Sequence, residues 1–593
     1  MAARYLHSPL SCDAGAVPHL TAQRQALSRL LGLGRGLVAA AAAGLAVGCM
    51  EAAEPERVPL AFKASALSAC GGQATALSEV GTVEVTVQDS EGKRIYAERA
   101  SVSGGRVGVG GVPEGSDATV TLAGLVGSET KFFGRRRGVL VEKGRTNPVQ
   151  VALTRFGGAS CPAGDNEYTH RTHPAVTELG AGYYLISGGF TAVQGTGPID
   201  YVTNEGSRKA FVYDAASGSL RKVSNSMVSP RGGHAAAVFR TPTKTRAILF
   251  GGATKLTFDA ANTNGFPFRF DVADALSSLE IFEWDTGTNP AETGAFVSSG
   301  LENTVMRAKR FMPTVAEIAS DGLILVCDGG PWGADEPPEY KECDVFDGAE
   351  GDSGAFLPAS KNFPFQYRAG GAVATVSKGE TTRLLFVGGS KDRVVEVYRS
   401  STEQRAGSGG VFNYPDNGQG DVPRVSFPSL TPLGDGRFAM IGGVAWNGGG
   451  FDGPAANNSW LLTVREDGAR VNVDAQPLPE FRVGRYFHTA AAPAGDRLVV
   501  LGGFTGTGDL APTDNIRFLD GSGTGADATY TGFKDPPSTE EAFLARGGMG
   551  SILLDNDTVL IAGGVASADD MRSDAPGALE VYTPSNLLPV ARD

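Results

Sequence analysis

Seven times along this chain a short apolar run stops on two adjacent glycines, and no other feature restricts the possible folds as tightly. The copies are "YLISGGF" (first glycine Gly188), "AILFGGA" (Gly251), "LVCDGGP" (Gly329), "LLFVGGS" (Gly388), "FAMIGGV" (Gly442), "LVVLGGF" (Gly502) and "VLIAGGV" (Gly563), spaced 54 to 78 residues apart. Runs of β-branched and aromatic residues read as buried strands. A glycine pair ends such a strand because it reaches φ > 0 freely and lets another backbone come close.

The surroundings of each pair repeat as well. An arginine stands 17 to 20 residues upstream, at Arg171, Arg231, Arg310, Arg368, Arg424, Arg485 and Arg546, and opens a first strand of small or β-branched residues, as in "RGGHAAAVF". After most pairs comes a third strand such as "FVYDAASG" from Phe211 or "EVYRS" from Glu396. The unit is therefore strand, tight turn, strand, Gly-Gly, loop, strand, turn, strand. One sheet of four short strands cannot bury both faces alone, so this repeat predicts blades stacked radially. The Arg, the Gly-Gly and the "V-Y-D" strand resemble the kelch repeat, from about Arg171 to Tyr582. That resemblance implies an all-β, seven-bladed kelch-type β-propeller over residues 165–590. The family's fourth-strand tryptophan is mostly missing. No blade shared between the termini is visible, which leaves the closure of the ring open, with side-chain packing between the first and last blades as one way to seal it. Recurrence in every blade gives the arginines a structural job, bonding loop carbonyls or a neighbouring blade.

Ahead of the repeats, "TVEVTVQDSEGKRIYAERASV" alternates Val83, Val85 and Val87 with polar residues, turns at Glu91–Gly92 and pairs back. Period-two patterning with regular turn signals predicts a small antiparallel β-sandwich over 60–158, immunoglobulin-like or transthyretin-like. The run Arg135, Arg136, Arg137 reads as a solvated turn between its strands.

The N-terminus reads as an address. Basic residues precede an apolar run of 13, from Gly36 to Gly48, and then Cys49. A membrane span takes about 20 residues, so this run suits a signal-peptide core instead. "LAVGC" resembles a bacterial lipobox, which implies a lipoprotein signal peptide over 1–48, lipidation at Cys49 and a tether over 49–59. The alternative is a cleaved, freely secreted protein. The expected location is the cell envelope, lipid-anchored, whether outer membrane, periplasmic or surface-exposed, with membrane contact through the anchor only. Besides Cys12 and Cys49 four cysteines remain, an even number that suits an oxidising compartment. Cys327 ends a second strand and Cys343 opens a third, so Cys327–Cys343 is an easy bridge between neighbouring strands. Cys70–Cys161 then brackets the sandwich. A net charge of −13 speaks against a nucleic-acid partner.

The one-to-two turns are short, while the two-to-three loops at 253–278, 331–342, 444–459 and 565–577 are long, so one face alone is elaborated. Elaborated loops on a rigid scaffold are where binding concentrates. Trp332, Trp446, Phe451 and Asp452 are the expected ligand-binding residues, an aromatic and polar set suited to a sugar ring or a peptide. Trp284 and Trp460 fall in third strands and read as packing. Galactose oxidase resembles this chain in repeat type, which implies a copper site of two histidines, two tyrosines and a cysteine crosslinked to one tyrosine. After the leader only His170, His173, His234 and His488 remain, and no cysteine is evidently free. His234 and His488 hold the same place after their arginines and read as packing. No catalytic residue, metal or cofactor is therefore expected. The function expected is that of a monomeric, envelope-anchored propeller binding a protein or glycan through its loop-rich face. The alternative is a carbohydrate-active enzyme on the same scaffold, sialic-acid mutarotase-like or galactose-oxidase-like.

Overall fold

The computed structural model describes residues 56–587, apart from inter-strand segments that include 71–78, 192–200, 260–267, 331–341, 447–453 and 571–578. Regular structure within the described residues is strand, save a one-turn 3-10 helix at Val272–Asp274. Each repeat forms an antiparallel meander in chain order, with first strand at one edge and third and fourth towards the other. In the first unit the strands are Ala175–Gly180, Tyr183–Ser187, Ala210–Asp214 and Ser219–Lys222. The first strand of every unit touches the first strand of the next. That of the last, Gly547–Leu553, touches that of the first, so the contacts close a cycle.

The glycines make this packing possible. The second glycine of each pair donates its N–H to a carbonyl of the following unit: Gly189 to Arg231 (3.0 Å), Gly252 to Arg310 (2.8 Å), Gly443 to Arg485 (2.9 Å), Gly503 to Arg546 (2.8 Å), and Gly564 round to Arg171 (2.8 Å). A side chain on the first glycine would strike the same carbonyl. A Cβ on Gly188, where φ is +59°, would lie 2.3 Å from the Arg231 oxygen. Two units depart from the register read in the sequence. In the third, Gly329 donates to Arg368 (3.2 Å), which leaves Asp328 in the first-glycine place at φ +57°; aspartate tolerates this region better than most side chains. In the fifth, Gly389 meets the carbonyl of Val425 (2.7 Å), while Arg424 is exposed. Arg424 is thus not a member of the arginine set; a valine fills its slot.

The other six arginines are buried, and each guanidinium bonds groups of its own unit. Arg231 donates to the Gly251 carbonyl (2.8 Å), Arg368 to Gly388 (2.6 Å) and Arg485 to Gly502 (3.2 Å), tying the start of the first strand to the end of the second. In four units a third-strand carboxylate completes the site: Arg231 with Glu280 (3.1 Å), Arg310 with Asp344 (3.1 Å), Arg368 with Glu396 (2.6 Å), and Arg546 with Glu580. The remaining units carry substitutes at the same register position. Phe211 stands there in the first, and the Arg171 guanidinium lies over it at 5.1 Å and over Tyr168 at 4.5 Å. Trp460 stands there in the fifth, the unit with valine for arginine. Arg517 stands there in the sixth, so Arg485 turns to the Asn515 carbonyl (3.1 Å) and Arg517 pairs outward with Asp535. Burial, then the Arg517 charge, pull Arg485 down to about 10.

Closure, left open by the sequence, uses a shared sheet rather than side-chain packing alone. The last sheet is completed by Gly158–Cys161, from ahead of the repeats, which pairs antiparallel with Leu579–Thr583 and carries Ser68–Ala69 on its outer edge. This strand lies at the far edge from the cycle of first strands. No glycine pair or arginine is needed there, so "GASC" carries no repeat signal. Both expected disulfides, Cys70–Cys161 and Cys327–Cys343, are formed, which points to an oxidising, extracytoplasmic compartment. No helix among the described residues is long and apolar enough to cross a membrane.

Before the cycle lies a seven-stranded sheet in the order Arg94–Ser101, Thr82–Gln88, Gly115–Val126, Glu129–Val141, Val149–Arg155, Arg57–Ala66, Arg106–Pro113. Its two end strands touch, so it almost closes on itself. Val83, Val85 and Val87 point inward with Phe62, Val120 and Leu122, as the alternation requires. The three arginines are not in a turn but within Glu129–Val141. Arg135 and Arg137 both bond Asp557 in the first turn of the last unit, Arg137 at 2.6 Å, and thereby dock the two sheets.

Arg368→Leu removes the guanidinium that faces the buried Glu396 carboxylate, and is expected to cost about 3–5 kcal/mol of stability. The double change Arg368→Val with Glu396→Trp, copying the fifth unit, is expected to restore most of it. Chemical denaturation of the three chains measures both effects.

Candidate binding site at the ring axis

Two residues past each arginine, or past Val425 in the fifth unit, the chain takes a left-handed conformation before entering the first strand: His173 (φ +54°), Gly233 (+59°), Met312 (+51°), Gly370 (+67°), Phe427 (+57°), Phe487 (+50°) and Gly548 (+71°). These residues are linked from unit to unit through their backbones. Gly233 donates to the His173 carbonyl (3.0 Å), Met312 to Gly233 (2.8 Å), Phe427 to Gly370 (2.6 Å), Gly548 to Phe487 (3.2 Å) and His173 to Gly548 (2.7 Å). The result is a collar around the axis. Four of its seven members carry side chains where glycine would be unstrained, at a cost of about 1–3 kcal/mol each. Strain of this kind gathers where side chains are held for a purpose.

Inside the collar is a cavity of about 300 Å³ to which all seven units contribute. His173, Met312, Phe427 and Phe487 line it together with His234 and His488. The Phe487 ring meets His173 edge-on, 4.5 Å between centroids, and Phe427 at 4.7 Å. His234 Nε2 is hydrogen-bonded to Ser187 Oγ (2.8 Å) and His488 Nε2 to Ser429 Oγ (2.9 Å), each reaching back to the preceding unit. His173 Nδ1 pairs with Thr172 Oγ1 (2.8 Å). Burial holds all three imidazoles down at about 3, with a further push from Arg231 on His234 and from Arg485 on His488. They are neutral at any ordinary pH. No carboxylate, lysine or arginine is among the lining residues. A buried acid does lie in the third unit: Asp328, pushed up to about 6 by burial and bonded by Thr314 Oγ1 at 2.7 Å.

No protein-family model matches the chain, and no curated protein matches it. Among solved structures it is similar to a fungal alcohol oxidase of the AA5 family in complex with copper, at 14% identity over 70% of this chain and 75% of that one, with a TM-score of 0.45. It is also similar to the protein YjhT, at 12% identity over 70% of this chain and 95% of that one, with a TM-score of 0.34.

The cavity does not offer the ligands that the galactose-oxidase resemblance implies. Its lining holds three histidines and no tyrosine or cysteine. The four described cysteines are spent in disulfides, and no group of three His, Cys, Asp or Glu among the described residues is placed to hold a metal. Of the expected ligand-binding residues, Trp446 is half-buried, with its N–H bonded to the Arg424 carbonyl (3.0 Å), and is not part of the cavity wall. Trp332, Phe451 and Asp452, like Cys49, lie outside the described residues. Trp284 is buried against Phe282, as packing requires. Sequence reasoning weighed His173 as a metal ligand alone and passed over Met312, Phe427 and Phe487. Their signal was present: one repeat position that alternates between glycine and bulky side chains.

The three imidazoles set an acid limit. Their folded pKa values lie below 6.5, so the unfolded chain takes up the protons, and stability present above 6.5 is lost as pH falls from there towards 3. Asp328 works the other way between about 6 and 3.8, because its folded carboxyl protonates first. With three groups against one, net stability is expected to fall across this window. In His488→Gln the fall is expected to be shallower, as thermal melts at a series of pH values would report.

Proposed function

We propose that the chain is an exported, lipid-anchored protein in which a small β domain over 60–158, expected as a sandwich and built as one nearly closed sheet, precedes a seven-bladed kelch-type propeller (165–590, its last sheet completed by Gly158–Cys161), and that it binds a protein or glycan through the loop-rich face. The observation that carries the binding reading is a further four-stranded sheet built from the loops after the first two glycine pairs: Phe190–Thr191, Tyr201–Gly206, Lys255–Asp259 and Phe268–Arg269. Two neighbouring loops that pair with each other form a platform, and such platforms on rigid scaffolds carry recognition. The axial cavity supports the same reading. Uncharged aromatic, thioether and imidazole groups suit the apolar face of a sugar or a hydrophobic side chain. They offer no general acid or base poised near neutrality.

The second reading, a carbohydrate-active enzyme, draws its support from the strained residues at that cavity. A glycan array, a protein-capture screen and a copper and sugar-alcohol turnover assay on the full chain separate the two. Saturable binding without turnover is the expected result. Phe487→Gly removes a cavity ring while relieving its left-handed strain. It is expected to weaken binding about tenfold, or about 1.4 kcal/mol, with little loss in melting temperature. Turnover with a blank array and no captured partner would replace the binding reading with the enzymatic one.

A further inference from the structure

We propose that Cys70–Cys161 is a thiol–disulfide exchange site that fastens the clasp of the ring, so that reduction by an extracytoplasmic dithiol frays the last sheet while Cys327–Cys343 survives. The clasp is short. Gly158–Cys161 meets the last unit over three paired positions, Ser160 with Val581, Ala159 with Tyr582 and Gly158 with Thr583. Among the described residues the strand paired on its outer edge is Ser68–Ala69, and the next residue, Cys70, carries the covalent link to Cys161. A four-residue strand held by so few backbone bonds frays readily unless something else holds it.

The two disulfides differ in the properties that decide exchange. Cys70 and Cys161 are both partly exposed, whereas Cys327 and Cys343 are each 1% exposed. Exchange requires a thiolate to reach the sulfur, so the first bond is open to attack and the second is shielded. The bonds also close very different loops: 91 residues of sequence separate the first pair and 16 the second. Cutting the longer loop releases more chain entropy.

The exchange balances as follows. One thiolate of the dithiol attacks a cysteine sulfur and the other cysteine leaves as thiolate and is protonated. The second thiol of the reductant then resolves the mixed disulfide. Two electrons and two protons pass to the cysteine pair, and the dithiol becomes a disulfide. The strand does not depart once released. Gly157 N–H still bonds the Thr583 carbonyl (2.9 Å), Thr154 and Thr583 hydroxyls still meet (2.6 Å), and Leu67 and Ala152 stay packed with Leu579 and Val581. Arg135 and Arg137 keep their hold on Asp557. The clasp therefore opens reversibly, next to the edge it must find again.

The test treats the full chain with dithiothreitol without denaturant, alkylates the freed thiols, and follows hydrogen exchange by mass spectrometry. Cys70 and Cys161 are expected to be alkylated first. Exchange at 158–161 and 579–583 is expected to rise about tenfold or more, with Arg383–Val387 of the fourth unit unchanged and full reversal on reoxidation. Cys70→Ser with Cys161→Ser is expected to show the raised exchange without reductant. Three results each overturn the proposal: Cys327 and Cys343 alkylated first, no change at the clasp on reduction, or uniform loss of protection in every unit.

Discussion

One backbone hydrogen bond organises this molecule. At the end of each second strand a glycine N–H reaches the carbonyl that opens the following unit, and in every unit but the third, where Asp328 stands, the residue before it is also glycine, whose bare Cα leaves that carbonyl room. The bond recurs from Gly189 to Arg231 and onward until Gly564 returns to Arg171. Everything nearer the axis follows from it. The carbonyl that accepts the bond belongs to the residue two before the left-handed turn, so fixing one fixes where His173, Met312, Phe427 and Phe487 stand. The cavity they line is a consequence of how neighbouring sheets are joined.

The buried arginines show how much variation that join tolerates. Four units oppose the guanidinium with a carboxylate, one with aromatic rings, one with an asparagine, and one dispenses with the charge and sets Val425 in a unit with Trp460. The chain has thus run its own substitution series at one position. A buried ion pair gains little over a well-packed apolar pair of similar volume, while half of one is costly. The fifth unit changed both halves. The sixth changed the acid to Arg517 and kept Arg485 by sending the second charge outward to Asp535.

Much of this was legible in the residues. The glycine pairs located the ends of second strands, the Val83, Val85, Val87 alternation located an inward face, Cys327 and Cys343 paired as their strand positions implied, and Cys70–Cys161 followed as the remaining pair. What was not legible has physical causes. Asp328 hid a register shift because it can adopt a conformation that glycine usually supplies. Arg424 imitated a repeat arginine one position early. The closing strand is four residues long and lies on the side of its sheet away from the collar, where neither a glycine pair nor an arginine is required. The role of Arg135 and Arg137 depends on Asp557, 420 residues from Arg137, and no local pattern reports so distant a partner. The axial residues were overlooked for another reason: their function in the ring rests on backbone conformation, which a side-chain inventory does not see.

The collar around the axis has an electrostatic corollary. In a helix, peptide dipoles line up along one direction and leave partial charges at the two ends. Here five linking amides, those of Gly233, Met312, Phe427, Gly548 and His173, each direct the N–H to the carbonyl of the unit before, so their moments point in successive directions around the axis and do not add along one line. They do not build the single pole that a helix end would present to a visitor at the cavity. Discrimination among ions is thereby left to the surrounding loops, and the centre is suited to guests without formal charge.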